Sequence, residues 1–292
     1  MMKPLPHVVP VDWPEISPSR VAAMFAGTTL ESAQVAFIGL PDDTGVLMNG
    51  GRVGAAEGPR AFREALAGYG ALHAGSVQWP TVADVGDITP GQSLDETHDR
   101  VTEAVAAILD MGVFPVGIGG GHDLTFPFVR AITARHEPMV GVYLDAHLDV
   151  RDQQGSGMPF RRLVEDCSVR ELHVHGLDPL ANTAEHLAWF QANGGRVDSF
   201  TPEDPWPLGD LFVSFDLDVI DQTHAPGVSA MNPCGWSSSL ADRWALATGR
   251  CERVRCFDIM ELNPQFDEGG RTARLAARLF LSFLCGFAER SR

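Results

Sequence analysis

From about residue 34 onward, short apolar runs alternate with stretches that are apolar on one side only. Gln34 to Leu40, Val113 to Ile118, Val140 to Leu144, Glu171 to Gly176, Leu211 to Phe215 and Val254 to Phe257 are continuous, β-prone and short. That pattern predicts strands buried on both faces of a parallel sheet. Between them the spacing turns helical. Pro59 opens a helix through about Leu66, at the first-turn position that proline tolerates. Ser93-Leu-Asp-Glu96 reads as a capping box. It starts a helix with Val101, Val105, Ile108 and Leu109 on one face and Gly112 as its stop. Further helices carry Phe128, Val129 and Ile132, begin at Pro159, run from Thr183 to Asn193 where two glycines follow, and span about Ser239 to Thr248 and about Arg271 to Phe287. Alternating strands and helices predict a parallel sheet with helices on both faces. Residues 1–30 are proline-rich with weak periodicity and predict an irregular lead-in that wraps the body. Residues 31–292 predict one domain, without repeats or linkers.

Composition narrows the function classes. The chain has 292 residues, 45% of them hydrophobic, enough for a sizeable core, and a mean hydropathy of -0.02. A formal net charge of -16 argues against nucleic acid and anionic membranes, which need basic footprints. Five carboxylates around two dications would make the folded site far less negative than the formal count. Cys167, Cys234, Cys251, Cys256 and Cys285 form no CxxC pair and leave an odd one, which favours reduced thiols and a cytoplasmic setting. The opening Met-Met-Lys-Pro-Leu-Pro-His lacks the apolar centre of a secretory leader. Leu279 to Phe287 is too short to span a bilayer and reads as a core helix.

The chemistry lies where the apolar runs end. Val140-Gly-Val-Tyr-Leu-Asp-Ala-His-Leu-Asp149 closes on Asp145, His147 and Asp149. If the strand continues through them, alternate residues project to one side and two carboxylates converge with an imidazole. His122 follows another run, Asp216 and Asp218 a third, and Glu261 a fourth. In open α/β sheets ligands bind outside the strand carboxyl ends. Aspartates at such ends also cap helices, but capping does not account for the interspersed histidines. Oxygen-rich donors with a minority of imidazole suit a hard ion such as Mn²⁺. Four aspartates and two histidines exceed what one ion with open positions needs, so two ions sharing a hydroxide fit better.

GGGHD, DAHLD, SFDLDVID with its downstream APG, and DIMELNP resemble, in order, the signatures of the ureohydrolase superfamily, which includes arginase, agmatinase and formimidoylglutamase. The resemblance covers about residues 34 to 287. It implies a three-layer α/β/α domain with a mainly parallel sheet, a binuclear manganese site, hydrolysis of an amidine or guanidine carbon–nitrogen bond, and a homo-oligomer. Position by position, it implies that His122, Asp145, Asp149 and Asp216 hold one manganese. Asp145, His147, Asp216 and Asp218 would hold the other, with Asp145 and Asp216 bridging. It implies that Asp149 shuttles the proton of the hydroxide and that Glu261 grips the amidinium.

Three loops tilt the substrate. Ser156-Gly-Met-Pro-Phe160 resembles the SGTPF of formimidoylglutamases, with Met158 in place of threonine; guanidine hydrolases carry a histidine near an HG pair there. Ala225-Pro-Gly-Val-Ser-Ala230 and Asn49-Gly-Gly-Arg-Val-Gly-Ala55 resemble the same group's loops. Gln222 and His224 depart from the superfamily pattern. The leading expectation is hydrolysis of N-formimino-L-glutamate to L-glutamate and formamide, with an agmatinase- or guanidinobutyrase-type hydrolase releasing urea as the alternative. A substrate with two carboxylates needs cations. Arg151, next to the metal cluster, is the first candidate, followed by Arg161 and Arg52; Asn49 and Ser156 join them as substrate-binding candidates. Arg161 reads equally well as part of a solvated helix face. Ser156 lacks the strand–elbow–helix context of a serine nucleophile. His173 and His175 read as hydrogen-bonded residues at a sheet rim.

Overall fold

The computed structural model describes residues 5–25, 27–70, 79–136 and 138–290. The apolar runs assemble into one nine-stranded sheet. Its strands are β1 (Val8–Val9), β2 (Val35–Leu40), β3 (Val82–Ile88), β4 (Phe114–Gly119), β5 (Met139–Leu144), β6 (Glu171–His175), β7 (Gly195–Val197), β8 (Asp210–Asp216) and β9 (Val254–Met260). The helices are α1 (Thr44–Met48), α2 (Gly58–Leu66), α3 (Leu94–Asp110), α4 (Thr125–Thr133), α5 (Pro159–Asp166), α6 (Ala184–Ala192), α7 (Ser238–Arg250) and α8 (Arg271–Phe287). The spatial order is β1-β3-β2-β4-β9-β8-β5-β6-β7. Every pairing is parallel except β1 against β3.

Period-two alternation sorts the strand side chains into two cores. Val35 and Phe37 of β2 join Phe62, Trp244, Phe280 and Phe283 from α2, α7 and α8. Ala36 and Ile38 join Val101, Phe128, Phe160 and Phe190 from α3, α4, α5 and α6. These are the three expected layers. Ser93 caps α3 by accepting from the Glu96 amide at 3.2 Å, and Glu96 accepts in return from Gln92, one residue before the cap. Among the described residues no helix is long and apolar enough to cross a membrane.

The departures have local causes. β3 carries Asp84 and Asp87, which hide its periodicity; both pair with Arg63 of α2, which is almost fully buried. β7 starts at Gly195, the second of two glycines that read as a helix stop. The Gly-rich loop after β2 folds its first part into α1. The lead-in is largely irregular, but β1 clips it to the sheet edge; its residues 1–4 lie outside the described residues. β5 ends at Leu144. Asp145, His147 and Asp149 therefore do not alternate along a strand, and they meet by another route.

Arg63 makes two bonds to Asp84 (2.7 and 2.9 Å) and one to Asp87 (2.7 Å). Removing one partner of a buried ion pair leaves an uncompensated charge. Arg63→Met should lower the unfolding free energy by about 3–5 kcal/mol in denaturant titrations. A loss below about 1 kcal/mol would assign these contacts no more weight than a surface pair.

Candidate metal centre

β4 and β5 are consecutive in the chain, yet β9 and β8 lie between them. β2 and β3 lie to one side of this point and β6 and β7 to the other, and a crevice opens at the strand carboxyl ends. Four adjacent ends feed it. His122 begins a 3-10 turn after β4, Asp145 follows β5, Asp216 ends β8 with Asp218 in the next turn, and Glu261 follows β9. The approach needs bare backbone at Gly120, where a Cβ would stand 1.9 Å from the Asp42 carbonyl oxygen. The Gly120 carbonyl accepts from the Glu261 amide (2.9 Å), and Glu261 Oε1 accepts from the His122 amide (2.8 Å). These two bonds lock the β4 and β9 ends together.

After Leu144 the chain leaves the sheet and winds around the site. The Asp145 amide donates to the His175 carbonyl of β6, and Asp145 Oδ1 accepts from the His147 amide at 2.6 Å. Asp149 has φ +47° and Glu261 φ +67°. Both are left-handed conformations that cost a side-chain-bearing residue energy and concentrate at functional sites.

Two donor groups result: His122, Asp145, Asp149 and Asp216; and Asp145, His147 and Asp218. His122 Nδ1 lies 2.9 Å from Asp149 Oδ2, 3.0 Å from Asp216 Oδ2 and 3.3 Å from Asp145 Oδ2. His147 Nδ1 lies 2.9 Å from Asp218 Oδ2 and 3.5 Å from Asp145 Oδ1. Asp145 thus turns one oxygen toward each group, as a bridging ligand does. Asp216 joins only the first group; its Oδ1 accepts from the Asp218 amide at 2.8 Å. Donors roughly 2.1 Å from a common ion lie ~3 Å apart at right angles, which is the spacing observed.

The electrostatics ask for added positive charge. Burial, then Asp149 and Asp218, raise the Asp145 pKa. Burial, then Asp218, push Asp216 well above the carboxylate range. Burial works against the His122 imidazolium, yet Asp216 and its neighbours raise His122 well above its ordinary value. His122 Nδ1, Asp145 Oδ2 and Glu261 Oε2 are buried without a hydrogen-bond partner. Such orphans are costly unless an ion or ligand completes them. The residues fit a metal.

Behind His122 lies a relay that sequence reasoning missed. The Ser214 hydroxyl donates to Asp258 Oδ1 (2.6 Å), and Thr125 donates to Asp258 Oδ2 (3.0 Å). With its proton committed, the Ser214 oxygen accepts from His122 Nε2 (3.0 Å). This arrangement puts the imidazole proton on Nε2 and aims the Nδ1 lone pair at the carboxylates. Burial pushes Asp258 up to about 6, against the pull of Ser214. The available signal was a hydroxyl and a carboxylate inside otherwise apolar strands.

A cavity of about 130 Å³ over the donors is also lined by Asn49, Arg151, Ser156, Ser229 and Glu261. Arg52 is not in its lining; it donates to the Ser229 and Pro226 carbonyls, binds the Val228 carbonyl and lies 4.1 Å over the Phe266 ring. It braces the cavity wall. Arg161 pairs with Glu165 (2.9 Å), stacks over Trp189 and lies outside the lining. His173 bonds to Ser199 and Glu171, and His175 packs against Phe200 and Trp244, so neither joins the donor groups. Gln222 and His224 do not line the cavity. All five cysteines are free thiols.

A family model described as the arginase family matches residues 33–286. Formimidoylglutamase of Aromatoleum aromaticum is 34% identical in an alignment that covers 84% of this chain and 81% of that protein. Mitochondrial guanidino acid hydrolase of Homo sapiens is 31% identical over 291 residues, covering 90% and 80%. A Trypanosoma cruzi formiminoglutamase solved with Mn²⁺ superimposes with a TM-score of 0.84 at 30% identity, over 93% of this chain and 99% of that one. Proclavaminate amidino hydrolase of Streptomyces clavuligerus gives 0.79 at 26% identity, over 88% and 92%.

Removing the group that orients a metal-ligating histidine typically costs 10–100-fold in metal affinity. Ser214→Ala should weaken Mn²⁺ binding by about that factor in calorimetric titration. Unchanged affinity would assign the relay to packing alone.

Proposed function

This chain belongs to the arginase family, and from that premise we propose that it is a binuclear manganese hydrolase converting N-formimino-L-glutamate and water to L-glutamate and formamide. His122, Asp145, Asp149 and Asp216 would hold one ion, and Asp145, His147 and Asp218 would supply donors for the other. A manganese pair bound there supplies water acidic enough to be hydroxide near neutral pH. The observation that carries the substrate assignment is Arg151. It is the one arginine or lysine in the cavity lining, and no ion pair with it is found among the described residues, in a chain of net charge -16. An unpaired guanidinium above an acidic site matches a substrate with an amidinium at one end and carboxylate at the other. The named formimidoylglutamase relatives support the same reading.

The chain's own groups divide the work. Burial pushes the Glu261 carboxyl up to about 7, and its Oε2 has no partner. An amidinium N–H satisfies that oxygen and favours its charged form, placing the electrophilic carbon over the donor groups. Arg151 holds carboxylate at the far end. Asp149 takes a proton from water as oxygen bonds to the amidine carbon. It returns that proton to the substrate nitrogen as the carbon–nitrogen bond breaks, and the second proton of the added water passes from the hydroxyl to the departing amine, so glutamate leaves as its ammonium and formamide remains.

Bidentate pairing with a charged partner is worth about 1.5–3 kcal/mol, or about 10–100-fold in binding. Arg151→Ala should raise KM for formiminoglutamate by that factor and leave kcat within about threefold. An unaltered KM removes Arg151 from the substrate. In a panel with Mn²⁺, formiminoglutamate should yield formamide and glutamate. Urea from a guanidine compound, with formiminoglutamate untouched, would overturn the assignment.

A further inference from the structure

The loop that carries Arg151 lies between β5 and α5 and belongs to neither a strand nor a helix. The Arg151 amide donates to the Gly157 carbonyl (2.8 Å), which closes residues 151–157 into a compact loop. The Ser156 amide donates to the Gly45 carbonyl of α1 (2.9 Å). The remaining contact with α1 is Asn49, the residue that ends that helix. Three groups converge on one terminal atom of its side chain: the Ser156 amide at 3.2 Å, the Gly157 amide at 2.7 Å and the Ser156 hydroxyl at 3.0 Å. Two backbone N–H groups can share only an acceptor, so that atom is the carboxamide oxygen. The loop is shaped around this oxygen. Gly155 has φ +148°, and a Cβ there would lie 2.2 Å from the carboxamide. A Cβ at Gly157 would lie 3.0 Å from the Arg151 side chain and 3.1 Å from the carboxamide.

We propose that Asn49 is a positioning residue: its carboxamide oxygen holds residues 155–157 in the shape that presents Arg151 to the substrate carboxylate, and so sets the affinity for carboxylate-bearing amidines. The kinetic side of this claim rests on Arg151 being the carboxylate anchor. The structural side stands apart from it. The Gly157 amide is buried and Asn49 supplies its acceptor. A buried N–H left without a partner costs free energy comparable to a lost hydrogen bond, so truncating Asn49 favours opening of the loop.

The test uses the full Mn²⁺-loaded chain and four variants, Asn49→Ala, Asn49→Asp, Arg151→Ala and the Asn49→Ala, Arg151→Ala double variant, with hydrogen exchange and two substrates. In Asn49→Ala, Gly157 amide exchange should rise at least about tenfold, and so should KM for formiminoglutamate. Turnover of formamidine, which has no carboxylate, should fall far less than that of formiminoglutamate. Asn49→Asp keeps an acceptor at the same reach and should restore Gly157 protection; it also serves if the alanine variant does not fold. The Asn49→Ala, Arg151→Ala double variant should have the KM of Arg151→Ala alone. Unchanged Gly157 protection in Asn49→Ala, or equal losses on both substrates, overturns the proposal. Failure of the substrate reading looks different: Arg151→Ala then leaves KM unaltered, while Gly157 exchange still decides whether Asn49 holds the loop.

Discussion

Four aspartates and two histidines are drawn together at the centre of one sheet edge, most of them out of contact with water. Like charges this close resist being ionised together, and desolvation raises the cost further. Added positive charge relieves both. Much of the surrounding architecture bears the strain of that assembly. Gly120 lets two backbones touch, the Glu261–His122 and Glu261–Gly120 bonds tie β9 to β4, and left-handed turns at Asp149 and Glu261 aim carboxylates that a regular strand end could not.

The sheet order makes the arrangement possible. Because β9 and β8 lie between β4 and β5, candidate donors from residues 122 to 218 and the carboxylate of Glu261 become neighbours despite their sequence separation. The two apolar layers hold those strand ends in register, and the Tyr143–Phe160 stack at 3.6 Å backs the edge-on contact of Phe160 with His122. The Ser214–Asp258 relay converts this rigidity into chemistry by fixing which His122 nitrogen faces the carboxylates.

What was readable in the sequence follows the strength of the local signal. Central strands are uniformly apolar and α3 announces its own cap, so both were legible, as was the donor set at the strand ends. Edge strands were not: β3 spends two positions on aspartates that pair with Arg63, and β7 begins on a glycine. The period-two picture of Asp145, His147 and Asp149 picked side chains that do converge, but by another geometry, since β5 stops at Leu144 and a loop does the gathering. Among the arginines, adjacency to the cluster ranked Arg151 first. Arg52 and Arg161 find carbonyls, a glutamate and aromatic faces nearby, and only Arg151 lines the cavity. Ser214 and Asp258 look like ordinary strand positions until the fold puts them behind His122.

The most direct measurement is the metal content and anomalous diffraction of the Mn²⁺-loaded protein, for the native chain and for Asp145→Ala. Two ions per chain, about 3.5–4 Å apart with Asp145 between them, and the loss of both in the variant, are the predicted result. A single ion, ions remote from these side chains, or full occupancy without Asp145 would contradict the account.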